Sequence, residues 1–384
     1  MNYPNRIGIV GGGQLGKMLT QSAKKLGFYV TVIDPTPQSP AGQVADRQIV
    51  ADYKDEKAIL KLAKFSDFIT FEIELVNDKT LNDLVKKGKA INPSPITLGI
   101  IRDKLKQKEF LTKYKIPTAK FIKASSTSNV ADAEKDILNT AKIFGYPFLL
   151  KARTDAYDGR GNFVVHKKVD ISKGLKKLKG RMVYVEKFVK FKKELAIMVA
   201  RNMKGKIKIY PVVQTVHKDS ICDIVIAPAK ISEIVKEKAE KLARKVAKHL
   251  NGAGVFGIEM FLDMDDNVLV NEIAPRVHNS GHYTIEGCIT SQFEQHIRAI
   301  TNLPLGNTEL ISKVIVMKNI LATKNGQCIP QGIEKVLAIP SVSLHIYGKK
   351  ESRLNRKMGH ITVIGDSVDE CLRKANKARR LITI

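Results

Sequence analysis

Glu259 and Glu272 lie in two apolar-rich runs, 254–262 and 268–273, that flank Asp265 and Asp266. A tight turn at the two aspartates folds these runs into an antiparallel hairpin. With a two-residue loop, Met264 faces Asn267, and the same register sets Glu259 opposite Glu272. Cross-strand Cβ atoms stand roughly 4.5–5.5 Å apart, and like charges at that spacing repel unless a cation lies between them. Carboxylate oxygens are hard ligands that suit Mg2+, which typically takes one or two of them and fills its octahedron with water and nucleotide phosphate. The alternative is a hairpin edge whose acids merely oppose aggregation. Directly downstream, Arg276, His278, Asn279, Ser280, Gly281 and His282 read as an anion-recognition loop. His278 and His282 have i,i+4 spacing, but Pro275 before them and Ser280-Gly281 between them argue against a helix, and so against a zinc pair.

Other stretches carry chemistry of the same kind. Gly11-Gly12-Gly13-Gln14-Leu15-Gly16 is a G-x-G-x-x-G sequence between a buried-strand pattern at 6–10 and helical periodicity over 17–26. Such glycines let backbone N–H groups approach a phosphate at a helix N-terminus. A second strand, 29–33, ends in Asp34, near where a dinucleotide fold keeps its ribose-binding acid. A dehydrogenase is therefore one reading, although hydride transfer requires neither an acidic hairpin nor a second glycine-flanked loop. That loop is Tyr157-Asp158-Gly159-Arg160-Gly161, placed between a strand ending in Lys151 and the apolar run 163–165. Glycines around an arginine between two strands suit a lid over polyphosphate, and an ordinary hairpin turn is the alternative. Glu186 and Glu194 sit on strand patterns at 182–188 and 194–201, as ribose acceptors or as solvated acids. His217 follows a strand at 206–213, and a lone histidine has a structural reading too. Lys349, Lys350, Arg353, Arg356 and Lys357 crowd the stretch 347–360, which is either a phosphate clamp or a solvated charge run.

The elements around these residues alternate strand and helix. The run 68–71 leads into Glu72-Ile73-Glu74, a further strand ends near 91, and one helix from about 95 to 114 carries Arg102, Lys104 and Lys108. An amphipathic helix spans 231–250, and Ser291 with Glu294 forms a capping box that opens a helix running through 300. The C-terminal part alternates β-like runs (314–320, 343–347, 361–364) with turns before a last helix. At 384 residues the chain has room for two or three domains. The first boundary falls near 104.

No apolar run approaches the roughly 20 residues that cross a bilayer, and the polar start lacks a signal peptide's apolar core. The expectation is a cytoplasmic protein with no membrane partner. Four widely spaced cysteines without a CxxC pair fit reduced thiols. The 65 basic and 38 acidic residues leave a net charge of +27. The lysines are dispersed, aromatics are only 6%, and no nucleic-acid motif accompanies them. A solvated lysine-rich surface and anionic small substrates account for the charge better than nucleic acid does.

The combination of a Rossmann-like half-site, a glycine-flanked lid and a late glutamate pair resembles the ATP-grasp superfamily. More closely, AYDGRGN at 156–162, NEIAPR-x-HNSGHYTIE at 271–286, SQFEQH at 291–296, YGK at 347–349 and RKMGH at 356–360 resemble the 5-(carboxyamino)imidazole ribonucleotide synthase family, particularly the form found as one half of a fungal fused enzyme. The likeness covers essentially the whole chain. It departs from the family pattern at Leu75, Val277 and Thr154-Asp155.

The resemblance implies an α/β (α+β overall) fold: an ATP-grasp enzyme with a Rossmann-like domain at 1–104, a small lid domain at 105–185 and a mixed C-terminal metal and substrate domain at 186–384, β-rich from about 314. It implies ATP-dependent carboxylation of 5-aminoimidazole ribonucleotide with bicarbonate in purine biosynthesis. Another ATP-grasp ligase, or a non-catalytic basic binding protein, is the alternative.

Carried over by motif, Lys104 and Lys151 contact ATP phosphates under the lid formed by Tyr157, Asp158, Gly159, Arg160 and Gly161. Glu186, Lys187, Phe188 and Val189 hold adenine, Glu194 takes ribose, and His217 lies beside the nucleotide. Glu259, Glu272 and Asn271 hold Mg2+, with two ions possible and Mn2+ able to substitute. Strict alternation points Asn271 away from Glu272, so a bulge is required there. Gln14, Leu15, Glu72, Glu74, Tyr157, Arg276, His278, Asn279, Ser280, Lys349 and Arg356 surround the ribonucleotide. Arg276, Asp158, Arg160 and Lys349 are the expected catalytic residues. The resemblance also implies a homodimer. Because the sequence stops soon after the last motif, it further implies a separate mutase or carboxylase acting next.

Overall fold

The computed structural model describes residues 5–124, 130–154, 161–178 and 180–384. Its N-terminal part is a parallel five-stranded sheet with the spatial order third, second, first, fourth, fifth. The strands are Arg6–Val10, Tyr29–Asp34, Arg47–Val50, Phe68–Phe71 and Ala90–Ile91. The first two are near-continuous apolar runs, as suits strands covered on both faces. The helix Gln14–Lys25 buries Leu15, Met18, Leu19 and Ala23, a stripe at helical spacing.

A small antiparallel sheet of Phe121–Lys123, Val183–Lys187, Phe148–Ala152 and Asn162–Val165 follows. The chain then enters a large sheet. From one edge, its order is Val268–Ala274, Gly254–Asp263, Phe191–Arg201, Val213–Lys218, Ile221–Ala227, Val314–Leu321, Lys357–Gly365 and Val342–Ile346, with Ile207–Ile209 pairing beside Phe191–Arg201. The C-terminal strands continue this sheet, since Ile315 pairs with Ala227. Among the described residues, no helix is long and apolar enough to cross a membrane. All four cysteines are unpaired, and three are buried.

Two expected elements are divided. The helix read over 95–114 is two helices, Pro95–Arg102 and Lys104–Lys113. Asp103 separates them in an extended conformation and caps the second, its carboxylate accepting from the Leu105 and Lys106 N–H groups. The strand read over 206–213 is broken because Pro211 has no N–H to give a ladder, so Ile207–Ile209 and Val213–Lys218 pair separately along Phe191–Arg201.

The domains are joined by shared packing. Leu15, Met18 and Leu19 belong to one apolar cluster with Phe293, Ile297 and Ile300 of helix Gln292–Ile300 and with Met198 of the large sheet. Each such side chain contributes roughly 1.5–3 kcal/mol on burial, so the N-terminal sheet is held firmly against the large one. His296 adds a polar bridge. Its Nδ1 accepts from the Val255 N–H at 3.0 Å, which leaves Nε2–H to donate to Thr70 Oγ1 at 2.8 Å. Burial holds this imidazole neutral, with its pKa pushed down to about 3.

Candidate active site

The hairpin sets Glu259 opposite Glu272, as the two-residue turn required, but by a different route. Asp263 N–H donates to the Asn267 carbonyl at 3.0 Å, so the loop holds three residues, 264–266. Asp263 builds it by accepting from the Asp265 N–H, the Asn267 N–H and Asn267 Nδ2, and Asp266 takes the left-handed conformation with φ +59°. The register then shifts between Glu259 and Met260: Met260 faces Val270, and Asn271 is the extra residue. This bulge cancels the extra loop residue and is the irregularity that Asn271 demanded.

Asn271 Oδ1 is buried and, among the described residues, has no hydrogen-bond partner. Buried polar atoms are normally satisfied. With Glu259 and Glu272 it forms a set of hard oxygen donors that fits Mg2+. Burial and the neighbouring Glu272 push Glu259 up to about 7. Burial also opposes charge on Glu272, but Lys104 and Lys151 outweigh it and hold that carboxyl below its ordinary value.

The lysines reach this pair because the edge of the sheet is tied to the second of the two helices. Gln107 donates to the Ile273 carbonyl and accepts from its N–H at 3.1 and 2.9 Å, standing in for a missing strand partner. That fixes Lys104 Nζ 2.8 Å from Glu272 Oε2. Asp103, at the helix start, pairs with Arg153, and Lys104 N–H donates to the Arg153 carbonyl, so the strand carrying Lys151 is anchored too. Lys151 and Lys108 both contact Glu186, at 3.2 and 2.8 Å, with all three side chains at most 6% exposed. Burial opposes the charge on Glu186, yet Lys151 and Lys108 bring its carboxyl down to about 2. Lys108 is one helical turn from Lys104. Sequence reading passed over it as a site residue, although the i,i+4 spacing was available.

Glu194 and His217 are also brought together, with His217 Nδ1 2.7 Å from Glu194 Oε2. Burial opposes the imidazolium, and the Glu194 carboxylate outweighs it, lifting His217 above its ordinary value. Lys187 closes the small sheet by donating to the Lys120 carbonyl, and Phe188 and Val189 lie in the crossing to the next strand at Phe191. Gly161 accepts from the Ala152 N–H. Tyr157, Asp158, Gly159 and Arg160 lie outside the described residues.

The glycine loop is occupied by the chain itself. Gly12 N–H donates to Asp34 Oδ2 at 2.9 Å, and Gly13 N–H to Glu72 Oε1 at 2.6 Å. A Cβ on Gly12 would stand 2.3 Å from Ser39 Oγ, and one on Gly13 2.7 Å from Glu72 Oε1. The glycines thus serve close packing of these carboxylates. Asp34 also accepts from Tyr53 Oη at 3.0 Å, so the acid expected to mark a dinucleotide ribose site is committed internally. Half-buried Gln14 and buried Leu15 open the helix beside this loop.

The loop after the hairpin extends the cleft. Arg276 Nε lies 2.9 Å from Glu74 Oε1. His278 Nε2 is 3.6 Å from Glu259 Oε1, and its Nδ1 is 2.9 Å from Ser280 Oγ. Burial, then Arg276 and Lys357, push His278 down to about 3. His278 and His282 flank a short 3-10 turn, Asn279–Gly281, in accord with the absence of a longer helix there. Asn279 pairs with Asn319 on the large sheet. In the basic stretch, Lys349 Nζ donates to the Lys357 carbonyl at 2.7 Å, and Arg356, exposed, donates to the Glu351 carbonyl at 2.9 Å. Lys357 is near enough to oppose the charged form of both His278 and His217, although His217 is raised on balance, a placement not anticipated from sequence. Lys17 Nζ donates to the Ile346 and Tyr347 carbonyls, so the N-terminal domain grips the strand end before Lys349.

Known proteins reproduce this architecture. Family models match for the ribonucleotide synthetase preATP-grasp domain over residues 5–102, the ATP-grasp domain over 109–293 and the phosphoribosylaminoimidazole carboxylase C-terminal domain over 315–374. A phosphoribosylaminoimidazole carboxylase of Schizosaccharomyces pombe is 44% identical over 97% of this chain, which spans 67% of that relative's length. Other fungal relatives are likewise longer, the chain spanning 64% of one from Candida glabrata. The crystal structure of the N5-carboxyaminoimidazole ribonucleotide synthetase from Thermotoga maritima is 49% identical, with 99% of each chain covered and a TM-score of 0.89. That of an Aspergillus clavatus N5-carboxyaminoimidazole synthase, in complex with ADP and 5-aminoimidazole ribonucleotide, is 40% identical over 98% of each chain, with a TM-score of 0.90. With this full-length likeness joined to the cleft geometry, the chain belongs to the N5-carboxyaminoimidazole ribonucleotide synthase family of ATP-grasp ligases.

Proposed function

We propose that the chain couples ATP cleavage to carboxylation of the exocyclic amine of 5-aminoimidazole ribonucleotide, giving 5-(carboxyamino)imidazole ribonucleotide, ADP and phosphate. The observation that carries this reading is the crowded cluster in which Lys104, Lys108 and Lys151 face Glu186 and Glu272, with Glu259 opposite Glu272 and, on the adjacent bulge residue, a buried Asn271 oxygen that has no hydrogen-bond partner among the described residues. Lys108 and Lys151 share Glu186 in a nearly dry place where burial opposes the Lys108 charge, and a phosphate would relieve that strain on the cationic form. Glu259, Glu272 and Asn271 would hold one or two Mg2+ ions, or Mn2+ in their stead; when bound, the metal neutralises charge developing on the phosphates.

The chain's own residues then position and shield. A bicarbonate oxygen attacks the γ-phosphorus as the bond to ADP breaks, forming carboxyphosphate. The amine nitrogen attacks its carboxyl carbon, directly or after release of CO2, phosphate leaves, and the nitrogen loses a proton. Lys104 and Lys151 hold the transferred phosphoryl group, and Glu194 with His217 takes the ribose. Arg276 holds the carboxylated intermediate while Lys349 and Arg356 draw the ribonucleotide's phosphate. Tyr157, Asp158 and Arg160 serve on the lid. Such chemistry asks for positioning and exclusion of water more than for a protein nucleophile.

The test is ADP release from purified protein. The expected result is turnover that requires Mg2+ and rises when aminoimidazole ribonucleotide and bicarbonate are supplied together. No stimulation by the ribonucleotide would overturn the substrate assignment, and stimulation by formate instead would favour a transformylase. We further propose a cytoplasmic homodimer whose product passes to a mutase or carboxylase activity. A monomer in sedimentation equilibrium would contradict the first part.

A further inference from the structure

His345, His360 and Glu286 form a cluster that the proposed reaction does not use. The two histidines are cross-strand partners on Val342–Ile346 and Lys357–Gly365, their rings stacked with centroids 4.3 Å apart. Glu286 comes from the short helix Thr284–Gly287, and its Oε1 lies 2.6 Å from His345 Nε2. One potential ligand atom from each of the three lies within 4.8 Å of the others. Among the described residues, Glu286 Oε2 and His360 Nε2 are buried with no hydrogen-bond partner, and His360 is 0% exposed. Two unsatisfied buried polar atoms in one partly buried cluster call for an occupant.

The surroundings favour a cation. Tyr347 Oη lies 3.0 Å from His360 Nδ1. With that hydroxyl as acceptor, the proton sits on Nδ1 and the Nε2 lone pair points into the cluster, as outer partners aim metal-binding imidazoles. His282 stands alongside, its ring centroid 4.9 Å from that of His360 and its Nε2 also buried and, among the described residues, without a partner. His345 lines a cavity of about 220 Å3 between helices Gln14–Lys25 and Gln292–Ile300, which offers a path of entry.

We propose that Glu286, His345 and His360 form a second metal site, separate from the glutamate hairpin, for a transition metal of the Zn2+ type. Two imidazoles and a carboxylate are a donor set that Zn2+ accepts at about 2.0–2.2 Å, whereas the all-oxygen hairpin suits Mg2+. Tetrahedral bonds of that length set ligand atoms roughly 3.3 Å apart. The two rings are stacked with their planes 9° apart, so their in-plane lone pairs lie in nearly parallel planes; for both to meet one ion, His345 must part from Glu286 and its ring must turn out of the stack. His282 or a water fills the fourth position. The metal would pin Thr284–Gly287 to the sheet next to the Tyr347–Lys349 turn, a structural duty.

The test is Zn2+ titration of the full chain by calorimetry, after dialysis against a chelator and in excess Mg2+, with melting of each protein followed alongside. Wild type and Glu272→Gln should each bind one Zn2+ per chain and melt at higher temperature with it. His345→Gln and Glu286→Gln should bind at least about tenfold more weakly and lose the shift, while melting cooperatively when metal-free. If either variant does not fold, Co2+ in the wild type decides: imidazole ligation in a four-coordinate site gives an intense visible absorption that an all-oxygen site lacks. No Zn2+ uptake, uptake abolished by Glu272→Gln but kept in His345→Gln, or no such Co2+ band would overturn the proposal and leave a buried water as the occupant.

Discussion

Two stretches of this chain advertise phosphate binding, the glycine loop at 11–16 and the cleft around Glu259 and Glu272, and they differ in what their polar groups already hold. In the loop, the Gly12 and Gly13 amides are bonded to Asp34 and Glu72. The helix N-terminus, with its partial positive charge, is thereby served by carboxylates of the chain itself. In the cleft, like charges are set against one another: two lysines share Glu186, two glutamates oppose each other, and the Asn271 oxygen has no partner among the described residues. A motif reports that backbone can approach an anion, but not whether an anion is already supplied. Unbalanced buried charge reports a ligand more directly.

The sharpest break of this comparison is Glu272→Gln. It removes a metal ligand and leaves Lys104 without its partner, so kcat/KM for ADP release should fall at least about a thousandfold at saturating Mg2+; near-wild-type turnover would mean the hairpin is misread. Lys104→Met should come next, weakening nucleotide binding by about 10–100-fold, the usual range for one charge-assisted contact. In the loop the expected damage is of another kind. A Cβ on Gly12 would meet Ser39 and Asp34 at 2.3 and 2.7 Å, so Gly12→Ala should destabilise the fold by about 1–3 kcal/mol in denaturant titration. The refolded protein should keep its affinity for ATP.

The mildest effect concerns Glu72, whose carboxyl burial raises from 4.5 to about 7 against the pull of Gly13 and Arg276. The folded state therefore holds a proton between those values that the unfolded state has released. The corresponding stability is fully present below pH 4.5 and is lost as pH rises through 7. Glu72→Gln keeps an acceptor for the Gly13 N–H but cannot ionise. Its stability relative to wild type should rise between pH 5 and 8 by on the order of 1 kcal/mol, discounted for solvent at a half-buried side chain. A difference independent of pH would show that Glu72 is not dry enough to matter.

How much of this could be read from sequence depended on range. Local chemistry was legible: Ser291 caps its helix as the box predicted, and the βα units, the parallel first sheet and the hairpin all formed. The opposition of Glu259 and Glu272 was also legible, although the assumed two-residue turn is a three-residue loop compensated by a bulge. Two offsets of one residue cancel there, and Asp263, which organises the loop, was the overlooked signal. What stayed hidden are pairings between distant segments. Lys108 meets Glu186 across a helix and a sheet, Gln107 stands in for a strand partner of Ile273, and Asp34 and Glu72 fold back on the glycines. None of these follows from periodicity, because each depends on how the sheets dock.

Equilibrium binding of Mg-ATP to wild type, Lys104→Met and Glu72→Gln tests most directly where the nucleotide goes. The cleft account predicts affinity lowered about 10–100-fold by Lys104→Met and unchanged by Glu72→Gln. Affinity lost in Glu72→Gln and retained in Lys104→Met would contradict it and return the nucleotide to the glycine loop.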